Sequence, residues 1–248
     1  DYSETVNSIL RTMNRRTCPE WPQGMRRHAV LMIFIVACTC VPTNAWGQNG
    51  KAATAITFDS LYRMATELSQ FNPGKARDVG NAMLDLARKR RDTSAMARAH
   101  SAIGVSYWAE GRYVNTLREY ILGRDLANMI RDSIVLAILN SNIGLVFLAL
   151  ESPEGAELYF HRSRLFRESV RDSLGMGRVY LNLGLTARLR GKLDSARLML
   201  RQSRQCFVST GNTLNLGQIE HYLGRSAVDA DSLIVAERHF GRALRMFG

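Results

Sequence analysis

Four glycines stand forty residues apart, at Gly104, Gly144, Gly184 and Gly224, each preceded by an aliphatic residue, Ile103, Ile143, Leu183 or Leu223. The register holds in other columns. Twelve residues on come Thr116, Ala156, Ala196 and Ala236, and sixteen on come Tyr120, Phe160, Leu200 and Phe240. Small residues follow at Gly123, Ser163, Ser203 and Ala243, then an apolar column at Leu126, Phe166, Cys206 and Met246, with Leu86 and Ala76 extending two columns one period upstream. Asp92, Asp132, Asp172 and Asn212 complete the frame. Seven columns in one register require a tandem array, whose units cannot each bury an apolar face alone and must stack on their neighbours.

Each unit carries two helical patterns. In the second unit Ala99, Ala102, Ile103 and Ser106 follow the i, i+3, i+4, i+7 rule, and Tyr113, Leu117, Tyr120, Ile121 and Leu126 do so after a break at Glu110-Gly111-Arg112. The aspartate column falls where a helix start needs a side-chain acceptor for a free backbone N–H, with Thr93, Ser133 and Ser173 beside it. Pro73 and Pro153 follow Asn72 and Ser152, the order expected just inside the second helix of a unit. Glycine and alanine columns let facing helices approach, and large apolar columns fill the remaining space. The expected fold is all-α, an α-solenoid of stacked antiparallel helical hairpins, with units at about 56–93, 94–133, 134–173, 174–213 and 214–248.

Leu/Ile-Gly-x-x-Tyr/Phe followed by Ala-x-x-x-Phe/Tyr resembles the tetratricopeptide repeat (TPR). The residues that carry this are Ile103-Gly104 with Tyr107, Ile143-Gly144 with Phe147, Ala156 with Phe160, and Ala236 with Phe240. The resemblance covers residues 56 to 248 and implies a TPR-like right-handed superhelix. Three departures stand out. The family's Trp four before the glycine is replaced by His100, Asn140, Tyr180 and Glu220; its helix-ending Pro is absent; and the first unit has Met64 at the glycine position. Without that Pro the second helix is expected to run on, lengthening the period from thirty-four to forty, as in arrays that resemble those of bacterial extracytoplasmic sensors and regulators.

The resemblance implies a groove, lined by the first helix of each pair, that holds peptides or partner proteins. Carried over by register, it presents Arg98, Ser101 and Trp108, then Ser141 and Asn142, then Arg178, Asn182 and Arg188, and finally His221 and Arg225. Guanidinium forks suit carboxylates, so an acidic segment or a C-terminal carboxylate is the expected ligand type. The same arginines could instead pair with acids on adjacent helices, and Trp108 could pack beside the hairpin turn.

Other chemistries find little support. With residues 1–48 set aside, 28 basic and 19 acidic residues remain, a balance compatible with polyanions, but no helix-turn-helix or RNA-module signature accompanies it and no nucleic-acid partner is expected. Arg88-Lys89-Arg90-Arg91 lies in the last turn of an expected helix, where cations complement the carbonyl end. Cys206 sits in an apolar column as a buried inert thiol, and His100, His161, His221 and His239 form no i, i+4 pair. No catalytic centre, cofactor or metal site is expected.

Before the array, Met25-Arg26-Arg27-His28 is followed by an apolar run from Ala29 to Val41 and then Pro42-Thr43-Asn44-Ala45, the order of a secretory signal peptide cleaved after Ala45. Ile35-Val36-Ala37-Cys38 also resembles a lipobox, which would leave Cys38 lipidated. Residues 1–24 read as an unstructured upstream leader, 25–48 as the signal and 49–55 as a linker. Residues 243–247 still read as an apolar helix, so the array is expected to continue beyond Gly248. These features suggest the periplasmic or extracytoplasmic sensory region of a larger bacterial signalling protein. The alternative is a free-standing periplasmic or lipoprotein adaptor. A membrane enters either reading only through an anchor or a segment beyond Gly248.

Overall fold

The structure, a computed structural model, describes residues 57 to 247. The leader, signal, Cys38 and the whole of the linker lie outside the described residues. Ten helices follow one another: α1 (Phe58–Phe71), α2 (Pro73–Arg90), α3 (Thr93–Ala109), α4 (Tyr113–Met129), α5 (Ser133–Ala149), α6 (Pro153–Ser169), α7 (Ser173–Leu189), α8 (Leu193–Ser209), α9 (Thr213–Val228) and α10 (Leu233–Phe247). Each packs on its chain neighbours, and each odd-numbered helix also touches the next odd-numbered one. This is the stacked helical hairpin array expected from the columns.

Six successive helices, α3 to α8, are each 17 residues long. Three-residue turns separate them, so one hairpin consumes forty residues. In these three hairpins the first and second helices are equal, so the long period is shared by both rather than carried by the second alone; in the first hairpin α2, at 18 residues, does outrun α1, at 14. What sets the pace is a left-handed residue every twenty positions: Arg91, Gly111, Arg131, Glu151, Arg171, Gly191, Gly211 and Asp231, with φ between 53° and 72°. At each, the next N–H reaches back to a carbonyl five residues earlier, as Arg112 does to Tyr107 and Asp132 to Ala127, both at 3.0 Å. This is the Schellman closure.

Helix starts follow the cap signals. Asp92, Asp132, Asp172 and Asn212 accept from the N–H three residues on, at 2.8 to 3.0 Å. Pro73 and Pro153 open α2 and α6.

Size complementarity closes each hairpin. A Cβ at Gly144 would stand 2.7 Å from the Phe160 ring, and one at Gly224 would stand 2.6 Å from Phe240. Phe160 is wholly buried as a result. The first hairpin inverts the pair: Met64 occupies the glycine column, and Gly80 occupies the aromatic column, where Ile103 of the next hairpin takes up the room. The small column at Gly123, Ser163 and Ser203 lies on the backbone of the partner helix, with Ser163 donating to the Ala137 carbonyl at 2.7 Å and Ser203 to Gly177 at 2.6 Å.

One column differs from the expectation. Leu126, Phe166 and Cys206 are half-buried and Met246 is exposed. The buried column is the next one, Ala127, Arg167 and Phe207. Phe207 fits because Gly177 faces it, with a Cβ there only 2.9 Å from the ring. Burial pushes the Cys206 thiol up, so it remains a thiol rather than a thiolate.

Candidate partner-binding surface

The ten residues expected in the groove divide into three groups. Ser101, Ser141 and Trp108 belong to the packing rather than to an open face. Ser101 is 2% exposed. The Ser141 hydroxyl donates at 2.8 Å to Ser163, whose own proton goes to Ala137, so its hydrogen bond is spent inside the α5/α6 interface. Trp108 is buried at the end of α3, its ring 5.3 Å from that of Tyr113 across the turn.

Arg98 and Arg188 tie neighbouring helices together. Arg98 in α3 pairs with Asp59 of α1 and lies over the rings of Phe58 and Tyr62 at 5.0 and 5.4 Å. Arg188 near the end of α7 pairs at 3.0 Å with Asp229, just past α9. Both make the adjacent-helix pairing that stood open as the other reading.

Asn142, Arg178, Asn182, His221 and Arg225 remain, on α5, α7 and α9. Asn142 and Asn182 hold one column of adjacent odd-numbered helices, and Arg178 and Gln218 hold another. Asn182, Arg178 and Gln218 are each less than a tenth exposed. The Gln218 Oε1 has no hydrogen-bond partner among the described residues. Buried amides left without partners cost about 1–3 kcal/mol each, so such groups are ones a ligand can satisfy. His221 is half-buried against the rings of Tyr222 and Phe240, both 5.6 Å away. Burial, with Arg225 adding to it, holds this imidazole below the usual histidine value, so it is neutral at pH 7. Arg225 is exposed.

Sequence reasoning missed Arg167. It ends the buried column of α6, pairs with Asp172 and reaches Ser163 at 3.4 Å. Room for its guanidinium exists because residue 175 is glycine; a Cβ there would overlap it. Burial lowers its pKa and nearby Arg178 adds to this, while Asp172 opposes both. A cation between Ala127 and Phe207 in an apolar column was the available signal.

No family model matches the chain, and no curated protein matches it. Solved structures do. BtubC (BKLC) from P. vanneervenii is 21% identical with a TM-score of 0.67 over 76% of this chain and 78% of that one. A putative kinesin light chain from Podosopora anserina with nearly identical TPR-like repeats is 12% identical, with a TM-score of 0.60 over 76% and 93%. The fold is a TPR-like helical solenoid. Aspartyl phosphate phosphatase F from Bacillus subtilis is also similar, at 11% identity and a TM-score of 0.60, over 76% of this chain and 59% of that chain. At such identities the likeness carries the fold alone. Among the described residues no group of three or more His, Cys, Asp or Glu side chains is placed to hold a metal ion, and no helix is long and apolar enough to cross a membrane.

Amides and guanidinium groups fixed on packed helices can recognise carbonyls, amides and carboxylates of an extended chain without first ordering themselves.

Proposed function

We propose that the array holds an extended segment of another protein or peptide against α5, α7 and α9. Asn142 and Asn182 engage the segment's backbone, Arg178 and Arg225 its carboxylates, and neutral His221 with Tyr222 and Phe240 an apolar side chain. The observation that carries this reading is the pair of asparagines in one column of adjacent helices, together with the buried Gln218 Oε1 of α9, which has no hydrogen-bond partner among the described residues. A peptide strand offers matching donors and acceptors at regular intervals. The test is fluorescence anisotropy with a library of labelled acidic and neutral peptides against the full chain. Binders selected this way should lose roughly tenfold or more in affinity on Asn142→Ala with Asn182→Ala, at unchanged helicity. Equal affinity in the double variant refutes the site.

The reading extends to compartment and context: the array serves as the extracytoplasmic sensory region of a larger bacterial signalling protein. Support comes from the basic, apolar, small order of residues 25–45. Residues 25–48 fused to a phosphatase that is active only after export should give activity in growing cells. A fusion retained in the cytoplasm overturns it.

A further inference from the structure

We propose that one edge of the solenoid is a docking surface for an anionic lipid bilayer. The turns that lead from one hairpin to the next, α2–α3, α4–α5, α6–α7 and α8–α9, share an edge because the helices alternate in direction; the turns within hairpins share the opposite edge. On the first edge the left-handed positions are Arg91, Arg131, Arg171 and Gly211, whereas on the second they are Gly111, Glu151, Gly191 and Asp231. A left-handed backbone costs an arginine about what glycine avoids. The helix dipole favours a cation at any helix end, yet at the left-handed position itself the second edge carries acids or glycine, its cations Arg188, Arg190 and Arg225 standing before that position. The sign therefore belongs to the edge.

Charge pairing of the arginines differs between the edges, although Lys75 and Lys192 of the second edge are exposed without a carboxylate partner among the described residues. On the second edge Arg77 pairs with Glu110 at 3.0 Å, Arg188 with Asp229, and Arg190 with Glu154 and Glu157. On the first, Lys89, Arg90, Arg91, Arg131 and Arg171 are exposed and have no carboxylate partner among the described residues. The acids there are committed elsewhere. Asp92, Asp132 and Asp172 cap α3, α5 and α7, Asp172 also holds Arg167, and Asp85, Asp125 and Glu168 pair with arginines of their own helices.

Between these cations the edge exposes aliphatic side chains. Met129 is 77% exposed, and Ile130, Ile134, Val170, Val208 and Leu214 lie between 39 and 53%. Protein interfaces centre on aromatic anchors, and single-stranded nucleic acids need stacking rings; this set has neither. Aliphatic groups on turn tips beside unpaired guanidinium groups suit an interface where hydrocarbon lies just beneath phosphate. This surface is separate from the α5, α7 and α9 face, so each can fail without the other.

The test is flotation of the full chain with phosphatidylcholine vesicles containing about 30% phosphatidylglycerol, at low salt and at about 0.5 M NaCl. Arg91→Gly, Arg131→Gly and Arg171→Gly are made together, since glycine suits all three backbones and the array should melt within a few degrees of the parent. Three membrane-proximal cations contribute roughly 100-fold in partitioning, and the variant should lose that much on anionic vesicles. Binding to pure phosphatidylcholine, the background set by the apolar run 29–41, should not change. Met129→Gln with Val208→Gln should weaken binding further, whereas Arg112→Ala with Lys192→Ala on the opposite edge should leave it intact. Equal binding of parent and glycine variant, or binding indifferent to lipid charge, overturns the proposal. So does capture of soluble poly-glutamate by these arginines without capture of vesicles, which would make the partner a protein.

Discussion

The hairpins α3/α4 and α9/α10 place the same ion pair in the same position with the residues exchanged. In the first, His100 Nδ1 meets Glu119 Oε2 at 2.8 Å; in the second, Glu220 Oε2 meets His239 Nδ1 at 2.8 Å. The surroundings differ. His100 and Glu119 retain 12 and 17% side-chain exposure, while Glu220 is fully buried. An imidazole on the inner helix can be neutral, but a carboxylate there must be compensated. Glu220 takes a second hydrogen bond from Arg204 of α8 at 2.9 Å and has Arg242 of α10 at 3.9 Å. Three periods upstream those arginine positions are Leu84 and Leu122. The repeat thus preserves complementarity at a position rather than a residue type, and the inverted pair stands because two flanking positions changed with it.

The largest consequence falls on the buried carboxylate. Glu220→Ala leaves His239, Arg204 and Arg242 facing a cavity without their anion. Losing one partner of a buried pair costs about 3–5 kcal/mol, and the half-exposed arginines can turn to water, so a loss near 3 kcal/mol is expected. Calorimetry should show a fall in Tm of roughly 6–12 °C.

Acid should expose the same contribution reversibly. Burial alone would push the Glu220 carboxyl up, but hydrogen bonds and charge from His239 and Arg204 outweigh it and hold it below the ordinary value. A depressed carboxylate stabilises the fold above its unfolded pKa of about 4.3, and this stabilisation disappears as pH falls through the folded value. The Tm gap between the parent and Glu220→Gln should therefore be full near neutrality and close below about pH 4. A gap that is constant with pH would mean that Glu220 acts through shape alone.

How far this was legible in the sequence depends on which residues recur. The hairpin stack follows from the glycine and aromatic columns because Gly104 with Tyr120, Gly144 with Phe160 and Gly224 with Phe240 repeat by type. The odd replacements at His100, Asn140, Tyr180 and Glu220 were visible, but their counterparts nineteen residues on, Glu119, Tyr159, Met199 and His239, share no type and so form no column to the eye. The twenty-residue pace was hidden for the same reason, since Gly occupies only three of its eight left-handed positions. Register placed all ten expected groove residues on odd-numbered helices but did not give the facing of Ser101 and Ser141, because one residue of helix rotation separates an outward position from a hairpin interface.

Introducing the second hairpin's arrangement into the first separates pair from context. His100→Glu sets two carboxylates against each other and should cost about 1–2 kcal/mol. Adding Glu119→His restores the pair in inverted form, yet Leu84 and Leu122 offer the buried carboxylate nothing. The double variant should recover about half of the loss, and Leu84→Arg on top of it should recover more. Full recovery without Leu84→Arg would show that the flanking cations of the last hairpin are dispensable.

The smallest effect expected is that of Arg242→Ala. At 3.9 Å and 44% side-chain exposure its charge is screened by water and makes no hydrogen bond to Glu220, so less than about 0.5 kcal/mol should be lost. Arg204→Ala removes a 2.9 Å hydrogen bond to a group with no access to water and should cost about 1–2 kcal/mol. If the two cost the same, proximity of charge rather than hydrogen bonding keeps Glu220 ionised, and any cation within reach of the inner helix would serve.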